Sequence, residues 1–306
     1  MTDTKGQTCY ICTEAVHRST KEGLVRGCAC GDRHGVNHGN SGIAHVSCLA
    51  EQVKILFAEA EENSLGCNAL NARWQQWYLC SLCEQQYHGV VRCALGWVCW
   101  RTYLGRPEAD ETRLFAMRAL WAGLSAASHH EDALTVQEAE MAMMRHLGAS
   151  ENDLLEVQTN LAISYKELGR LDCALRNLRY VYSEYLKRKG NEHVSTLTAA
   201  SNYANTLIEL KKSREANSLL RKTLPVARRV LGESHDLTLR MMSSYAGSLF
   251  KNSATLGDLH KAVSMYEETE RIARRVLGEF HPLVVHIERE LPVSRALLAE
   301  ALSGGA

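Results

Sequence analysis

The amino-acid sequence predicts a mainly α-helical protein, with a small cysteine- and histidine-rich module followed by an α-helical solenoid of repeated hairpins. Three observations carry this. Only four prolines occur in 306 residues, and Ala, Leu, Glu and Arg are abundant, which favours helix throughout. Ten of the eleven cysteines lie at or before Cys99, so the first third differs in kind from the rest. Later in the chain, small residues and glycines recur every 42 positions, the mark of a repeat architecture.

Composition narrows the function classes. Apolar residues make up 45% and charged residues 23%, as in a globular chain. Lys+Arg and Asp+Glu are both 35, with nine of each sign before residue 105 and 26 of each after it. A nucleic-acid partner is not expected, because its basic binding face would tilt that balance. No apolar run approaches the roughly 18–20 residues of a membrane span. Met1–Tyr10 lacks the charged-then-apolar pattern of a secretory signal, so the expectation is a cytoplasmic protein with no membrane partner. In a reducing compartment, paired cysteines read as metal ligands before disulfides.

The first 90 residues form the expected metal-binding module. Four close pairs follow one another: Cys9-x2-Cys12, Cys28-x-Cys30, His45-x2-Cys48 and Cys80-x2-Cys83. Seven cysteines and one histidine suffice for two tetrahedral Zn2+ sites, since short spacing lets two ligands from one turn reach the same ion.

The ligand order resembles that of the RING-CH (RING-variant) zinc finger. His45-Val-Ser-Cys-Leu49, leading into a helix, and Cys80-Ser-Leu-Cys-Glu-Gln-Gln-Tyr87 are similar to two of that family's segments. The resemblance implies a cross-brace in which Cys9, Cys12, His45 and Cys48 hold one zinc. Cys28, Cys30, Cys80 and Cys83 hold the other. His34 and His38, between Cys30 and His45, are alternative ligands; His45 is preferred because its segment matches as a unit. The loop from Cys48 to Cys80 is expected to carry an inserted helix at about 49–66. The resemblance also implies contact with a ubiquitin-conjugating enzyme through Ile11 and position 52. The chain has Gln52 where the family often has Trp, and Glu84 and Gln85 where a basic residue follows the last ligand.

Residues 91–112 read as a connecting helix and junction. Cys93 and Cys99 share an apolar stretch with Val91, Leu95 and Trp97, and buried cysteine there acts as a small hydrophobe. Trp74 and Trp77 are expected to cover the second zinc site. Arg106-Pro-Glu-Ala-Asp110 reads as the opening of the next helix, with Pro107 in its first turn.

Residues 113–306 form the repeat array. Ala162, Ala204 and Ala246 are 42 apart; Gly148, Gly190 and Gly232 keep the same interval, and Gly278 follows after 46. Ala174, Ala216 and Ala262 repeat the 42 and then 46. The extra four residues are expected in an inter-helix loop near Thr255–Asp258. Apolar residues such as Leu154, Val157, Leu161, Tyr165 and Leu168 keep helical spacing, and one hairpin cannot bury such a face alone. The pattern resembles the 42-residue tetratricopeptide repeat of kinesin light chains, notably in Arg228-Arg-Val-Leu-Gly-Glu-Ser-His235 and Arg274-Arg-Val-Leu-Gly-Glu-Phe-His281. The units fall at about 113–150 (degenerate), 151–192, 193–234 and 235–280, with a cap at 281–302.

Such arrays imply a concave groove for a protein or peptide. Its candidate residues are Asn160, Asn202, Asn205, Glu167, Glu209 and Lys251. The alternative for the asparagines is simple exposure or local capping. His193, His235 and His281 recur at turns, where helix capping explains them better than catalysis. Two functions follow: a RING-type ubiquitin ligase, which has no covalent intermediate and no catalytic nucleophile, or a non-catalytic adaptor whose zinc module is structural.

Overall fold

The computed structural model describes residues 4, 6–28, 42–252, 255–279 and 281–303. The fold is mainly α, as the sequence predicts: among the described residues there are twelve α-helices and one two-stranded sheet. The chain divides into two compact units, Met1–Val157 and Gln158–Ala306.

In the N-terminal unit, β1 (Val25–Arg26) and β2 (Ile43–Ala44) pair antiparallel, with Val25 opposite Ala44. Helix α1 (Val46–Glu62) follows directly, with His45 extended at its N-cap and making no side-chain cap bond. The Glu22 carboxylate accepts instead from the Ser47 backbone N–H at 2.8 Å, and also from the Ser47 hydroxyl. That satisfies one of the donors left open at a helix start. Where the sequence suggested one helix at 49–66, the chain breaks after Asn63. Ser64 takes a positive φ of 49°, and Gly66 caps a second helix, α2 (Cys67–Trp74), which runs into a 3-10 turn at Gln75–Trp77.

Helix α3 (Gly89–Tyr103) is more than a connector. It packs along α4 (Glu111–Ala126) at a distance only glycine permits. A Cβ on Gly96 would stand 2.7 Å from the Ala119 carbonyl oxygen, and one on Gly123 would stand 2.7 Å from that of Arg92. The inner face of α3 contributes Val91, Leu95, Cys99 and Tyr103 to a core that also contains Phe57 and Trp77. Pro107 lies ahead of the helix and not in its first turn. The Asp110 side chain is the cap, accepting from Thr112 N–H at 2.7 Å. Helix α5 (His130–His146) completes a hairpin with α4.

Helix α6 (Glu151–Glu167) contains the boundary between the units. The C-terminal unit continues with α7 (Leu171–Lys189), α8 (Val194–Glu209), α9 (Ser213–Leu231), α10 (Asp236–Asn252), α11 (Leu256–Leu277) and α12 (Pro282–Ser303). Its recurring alanines, Ala162, Ala174, Ala204, Ala216, Ala246 and Ala262, are all 0% exposed; they are the points where neighbouring helices meet. Gly190, Gly232 and Gly278 end α7, α9 and α11 with φ of 79°, 91° and 87° and extended ψ, a region essentially closed to other residues. The four extra residues of the third repeat lengthen helices and not the turn. Helix α10 has 17 residues against 16 in α8, and α11 has 22 against 19 in α9.

Candidate metal centre and repeat groove

The Cys-x2-Cys pairs sit in two copies of one tight turn. At Cys9, its N–H donates to Glu14 O at 3.0 Å and Thr13 N–H donates back to Cys9 O at 2.8 Å. At Cys80, the matching bonds reach Gln85 O and return from Glu84, both at 2.8 Å. Thr13 and Glu84 take the positive φ that closes each turn, 64° and 57°. This folding leaves the sulfurs inward and brings backbone donors to them; Ile11 N–H points at Cys9 Sγ, 3.4 Å away.

The two outer turns meet partners from distant sequence. Ligand atoms of Cys9, Cys12, His45 and Cys48 all lie within 4.8 Å of one another. His45 is 0% exposed, and its Nδ1 stands 3.4 Å from Cys12 Sγ and 3.6 Å from Cys48 Sγ. Cys28, Cys80 and Cys83 form the second cluster under the same limit. Gly27 positions Cys28: a Cβ there would lie 2.6 Å from a Val91 methyl and 2.9 Å from the Tyr87 ring. Cys30, His34 and His38 lie outside the described residues.

The thiols respond to this crowding. Burial raises Cys9, but backbone donors at Cys12, His45 and Ile11 outweigh it and hold the thiol below its ordinary value. Cys48 is pushed well above the ordinary range, by burial first and then by Cys12 and Cys9. Three thiols around one imidazole in a buried place cannot all lose their protons unless a cation enters to offset the charge. The other thiols lack such neighbours. Cys99 is fully buried in α3 and raised by burial, Cys93 is half-buried and raised for the same reason, and Cys67 is exposed. Trp74 makes ring contacts with Phe57, Trp77, Tyr103 and Phe115, and Trp77 also touches Tyr103.

Two contributors went unread in the sequence. His17–Glu22 repeats the same turn without cysteines: His17 N–H donates to Glu22 O and Lys21 N–H donates to His17 O, both at 3.0 Å. It sets Glu22 over the start of α1 and lays the His17 ring edge-on to His45, with centroids 5.3 Å apart. Beside this cluster, Ile11, His17, Gln52 and the half-exposed Ile55 line a cavity of about 690 Å3.

In the C-terminal unit, a cavity of about 640 Å3 is walled mainly by α8, α10 and α12. Of the six groove candidates it takes Asn205, Glu209 and Lys251. Asn160, Asn202 and Glu167 are not in its lining. Asn202 lies on α8 ahead of the stretch that faces the cavity, which runs from Asn205 to Glu209. The turn histidines are caps: Nδ1 of His193, His235 and His281 accepts the N–H of Ser195, Leu237 and Leu283 at 3.1, 3.2 and 3.2 Å.

Residues 196–236 and 253–283 match the family model of the tetratricopeptide repeat. Three solved structures are similar. One is a variant form of a Podosopora anserina protein assigned as a kinesin light chain, with nearly identical TPR-like repeats. It is 18% identical, with a TM-score of 0.50 over 76% of this chain and 97% of that chain. A second structure of those repeats gives 18% and 0.49 over the same shares. BtubC (BKLC) from P. vanneervenii gives 13% and 0.49, over 68% of this chain and 91% of that chain. No curated protein matches the chain. Within residues 196–236 and 253–283 the chain is therefore similar to tetratricopeptide repeats. The likeness to the Podosopora structure is one of fold.

Proposed function

We propose that the chain is a non-catalytic interaction adaptor: its repeat array holds a segment of a partner protein, and its N-terminal module is closed by two structural zinc ions. The observation that carries the zinc reading is the spacing around His45. A tetrahedral zinc with Zn–N and Zn–S bonds of ordinary length has N-to-S edges of about 3.5 Å, and the two edges at His45 Nδ1 are 3.4 and 3.6 Å. Cys28, Cys80 and Cys83 would hold the second ion, with Cys30 as its fourth ligand. Sites closed by four protein ligands leave no position for a reacting water, so the zinc ties segments together and does no chemistry. Elemental analysis tests this directly: about two zinc per chain are expected, and fewer in His45→Ala.

A ligase is the second reading, favoured by the cavity beside the first cluster. Ile11 and Ile55 there would offer an apolar seat to a ubiquitin-conjugating enzyme, with the Gln52 amide beside them. The two readings part in a discharge assay with a panel of ubiquitin-charged conjugating enzymes. The adaptor reading expects no acceleration by zinc-loaded protein. Acceleration that is lost in Ile11→Ala would replace it with the ligase.

A further inference from the structure

A cavity of about 350 Å3 in the N-terminal unit is walled by α2, the 3-10 turn that follows it, α3 and α4. Ligand sites commonly measure about 300–1,000 Å3, so this one suits a molecule of one or two rings. Its walls are aromatic: Trp74, Trp77, Tyr78, Phe115 and Trp121. The Trp74 ring centre lies 6.5 Å from that of Trp77 and 5.9 Å from that of Phe115. Tyr103, outside the lining, packs on both tryptophans at 5.4 and 6.2 Å, which fixes these walls before any ligand arrives. The polar lining is lopsided. Among the described residues no carboxylate lines the cavity, whereas two guanidiniums do. Arg118 is compensated, because its Nε donates to the buried Glu140 carboxylate at 2.7 Å. Arg92 is not. Its Nη1 donates to the neutral Gln86 side chain at 2.7 Å, and its guanidinium carbon stands 5.6 Å from the centre of the Tyr78 ring. Its Nε and Nη2 make no hydrogen bond, and it has no carboxylate partner, among the described residues. The Arg92 backbone cannot retreat, since its carbonyl is pressed against α4 at Gly123.

We infer that this cavity binds a small planar aromatic molecule carrying a carboxylate, with its ring against the aromatic walls and its anion on Arg92. The ring and the anion are called for by separate observations. Flat apolar walls select a flat apolar body, because offset and edge-to-face ring contacts stabilise beyond the area they bury. The unmatched charge selects the tail. The Nε–Nη2 edge of a guanidinium presents two parallel N–H groups that a carboxylate takes together, and in Arg92 that edge is unused. Burial also holds this guanidinium below its ordinary pKa, with Tyr78 opposing the shift; arginine nonetheless stays charged, so an arriving anion offsets a charge that is already poorly hydrated. A cation is the obvious rival, since aromatic cages hold quaternary ammonium groups. Here it would sit beside two guanidiniums with no lining carboxylate to balance it. A neutral ring would leave Arg92 as enclosed and as unmatched as before. An aliphatic acid would satisfy Arg92 but forgo the ring contacts. No cysteine or histidine is among the described residues of the lining, which sets this site apart from the metal clusters.

The experiment uses the full chain as purified and isothermal titration with four probes: 2-naphthoate, 2-naphthylmethanol, 2-naphthylmethylammonium and the saturated decalin-2-carboxylate. The expected result is that 2-naphthoate binds about tenfold tighter than each of the others, the size of effect one charge-assisted hydrogen bond produces. Arg92→Gln should weaken 2-naphthoate by about the same factor and leave 2-naphthylmethanol unchanged. Ala122→Leu, which fills the cavity from α4 without touching the charge, should abolish binding of both. The place of binding is read without altering the lining. In the chain labelled with 5-fluorotryptophan, 2-naphthoate should move the fluorine resonances of Trp74, Trp77 and Trp121 and spare that of Trp97, each assigned through its Trp→Phe variant. Binding of the alcohol, the ammonium or the decalin acid as tightly as 2-naphthoate overturns the inference. So does 2-naphthoate binding that Arg92→Gln leaves unchanged, or fluorine shifts confined to Trp97 and Trp100. Neither heat nor a fluorine shift at millimolar 2-naphthoate overturns it as well.

Discussion

Removing zinc is expected to unfold the N-terminal unit and spare the repeats. The proposed ligands come from turns near residues 9, 28, 45 and 80, and Cys9, Cys28, Cys48 and Cys80 are themselves 1%, 2%, 7% and 1% exposed. Without metal these become buried thiols with no partner strong enough to hold the turns. Structural zinc contributes about 10–16 kcal/mol in small domains, against about 5–15 kcal/mol for the whole stability of a typical one. Loss of even one ion is therefore comparable to the whole stability of such a domain. All five tryptophans, Trp74, Trp77, Trp97, Trp100 and Trp121, lie in Met1–Val157, so their emission reports this unit alone. Titration with a chelator should shift that emission to the red while most of the far-ultraviolet dichroism persists, and added zinc should reverse it where magnesium does not. His45→Cys, which keeps four zinc donors, should retain the metal that His45→Ala loses; a histidine that merely packs would not separate the two. Complete zinc removal with unchanged emission would refute the structural role, and zinc-free protein from a chelator-free purification would refute the site.

Gly96→Ala should destabilise the N-terminal unit by about 1–3 kcal/mol, read as a lower denaturation midpoint in tryptophan emission, because its methyl would meet the Ala119 carbonyl. In the repeats, Gly232→Ala should cost about 1–3 kcal/mol for the φ of 91°. Lys211 takes a φ of 60°, so Lys211→Gly should stabilise by about 0.5–1 kcal/mol; thermal melts of both variants check the pair. Glu140, 1% exposed and bonded to Arg118 at 2.7 Å, has its pKa raised because burial outweighs the arginine. Its folded value lies above the unfolded one, so the wild type loses stability as pH rises through that interval. Glu140→Gln should therefore gain on the wild type from about pH 4.5 upward, measured as a difference in melting temperature.

What the sequence disclosed was whatever repeats or must touch. The alanines 42 apart are legible because a helix crossing admits only a small side chain, and all of them are fully buried. The glycines are legible because their backbone conformation excludes a Cβ. The cysteine pairs are legible because ligands of one ion, the role proposed for them, need short local spacing. Position along a helix face is set more loosely. Asn202 and Asn205 share the same side of α8, three residues apart, and nothing in the 42-residue period says which of them reaches the cavity. That was decided by α12, whose His286, Arg289 and Glu290 form part of the opposite wall and belong to no repeat. The His17–Glu22 turn escaped for a related reason. Its conformation is that of the cysteine turns, with the positive φ of 59° on Lys21 as it falls on Thr13 and Glu84 there, but it has no cysteine pair to mark it. The same fact explains its use. The turn needs only a backbone shape to set Glu22 over Ser47, so the position that would bind metal in the other two copies is free to carry His17 against His45. The support of the candidate metal cluster is thus built from the same local geometry as the cluster itself, with the cysteines left out.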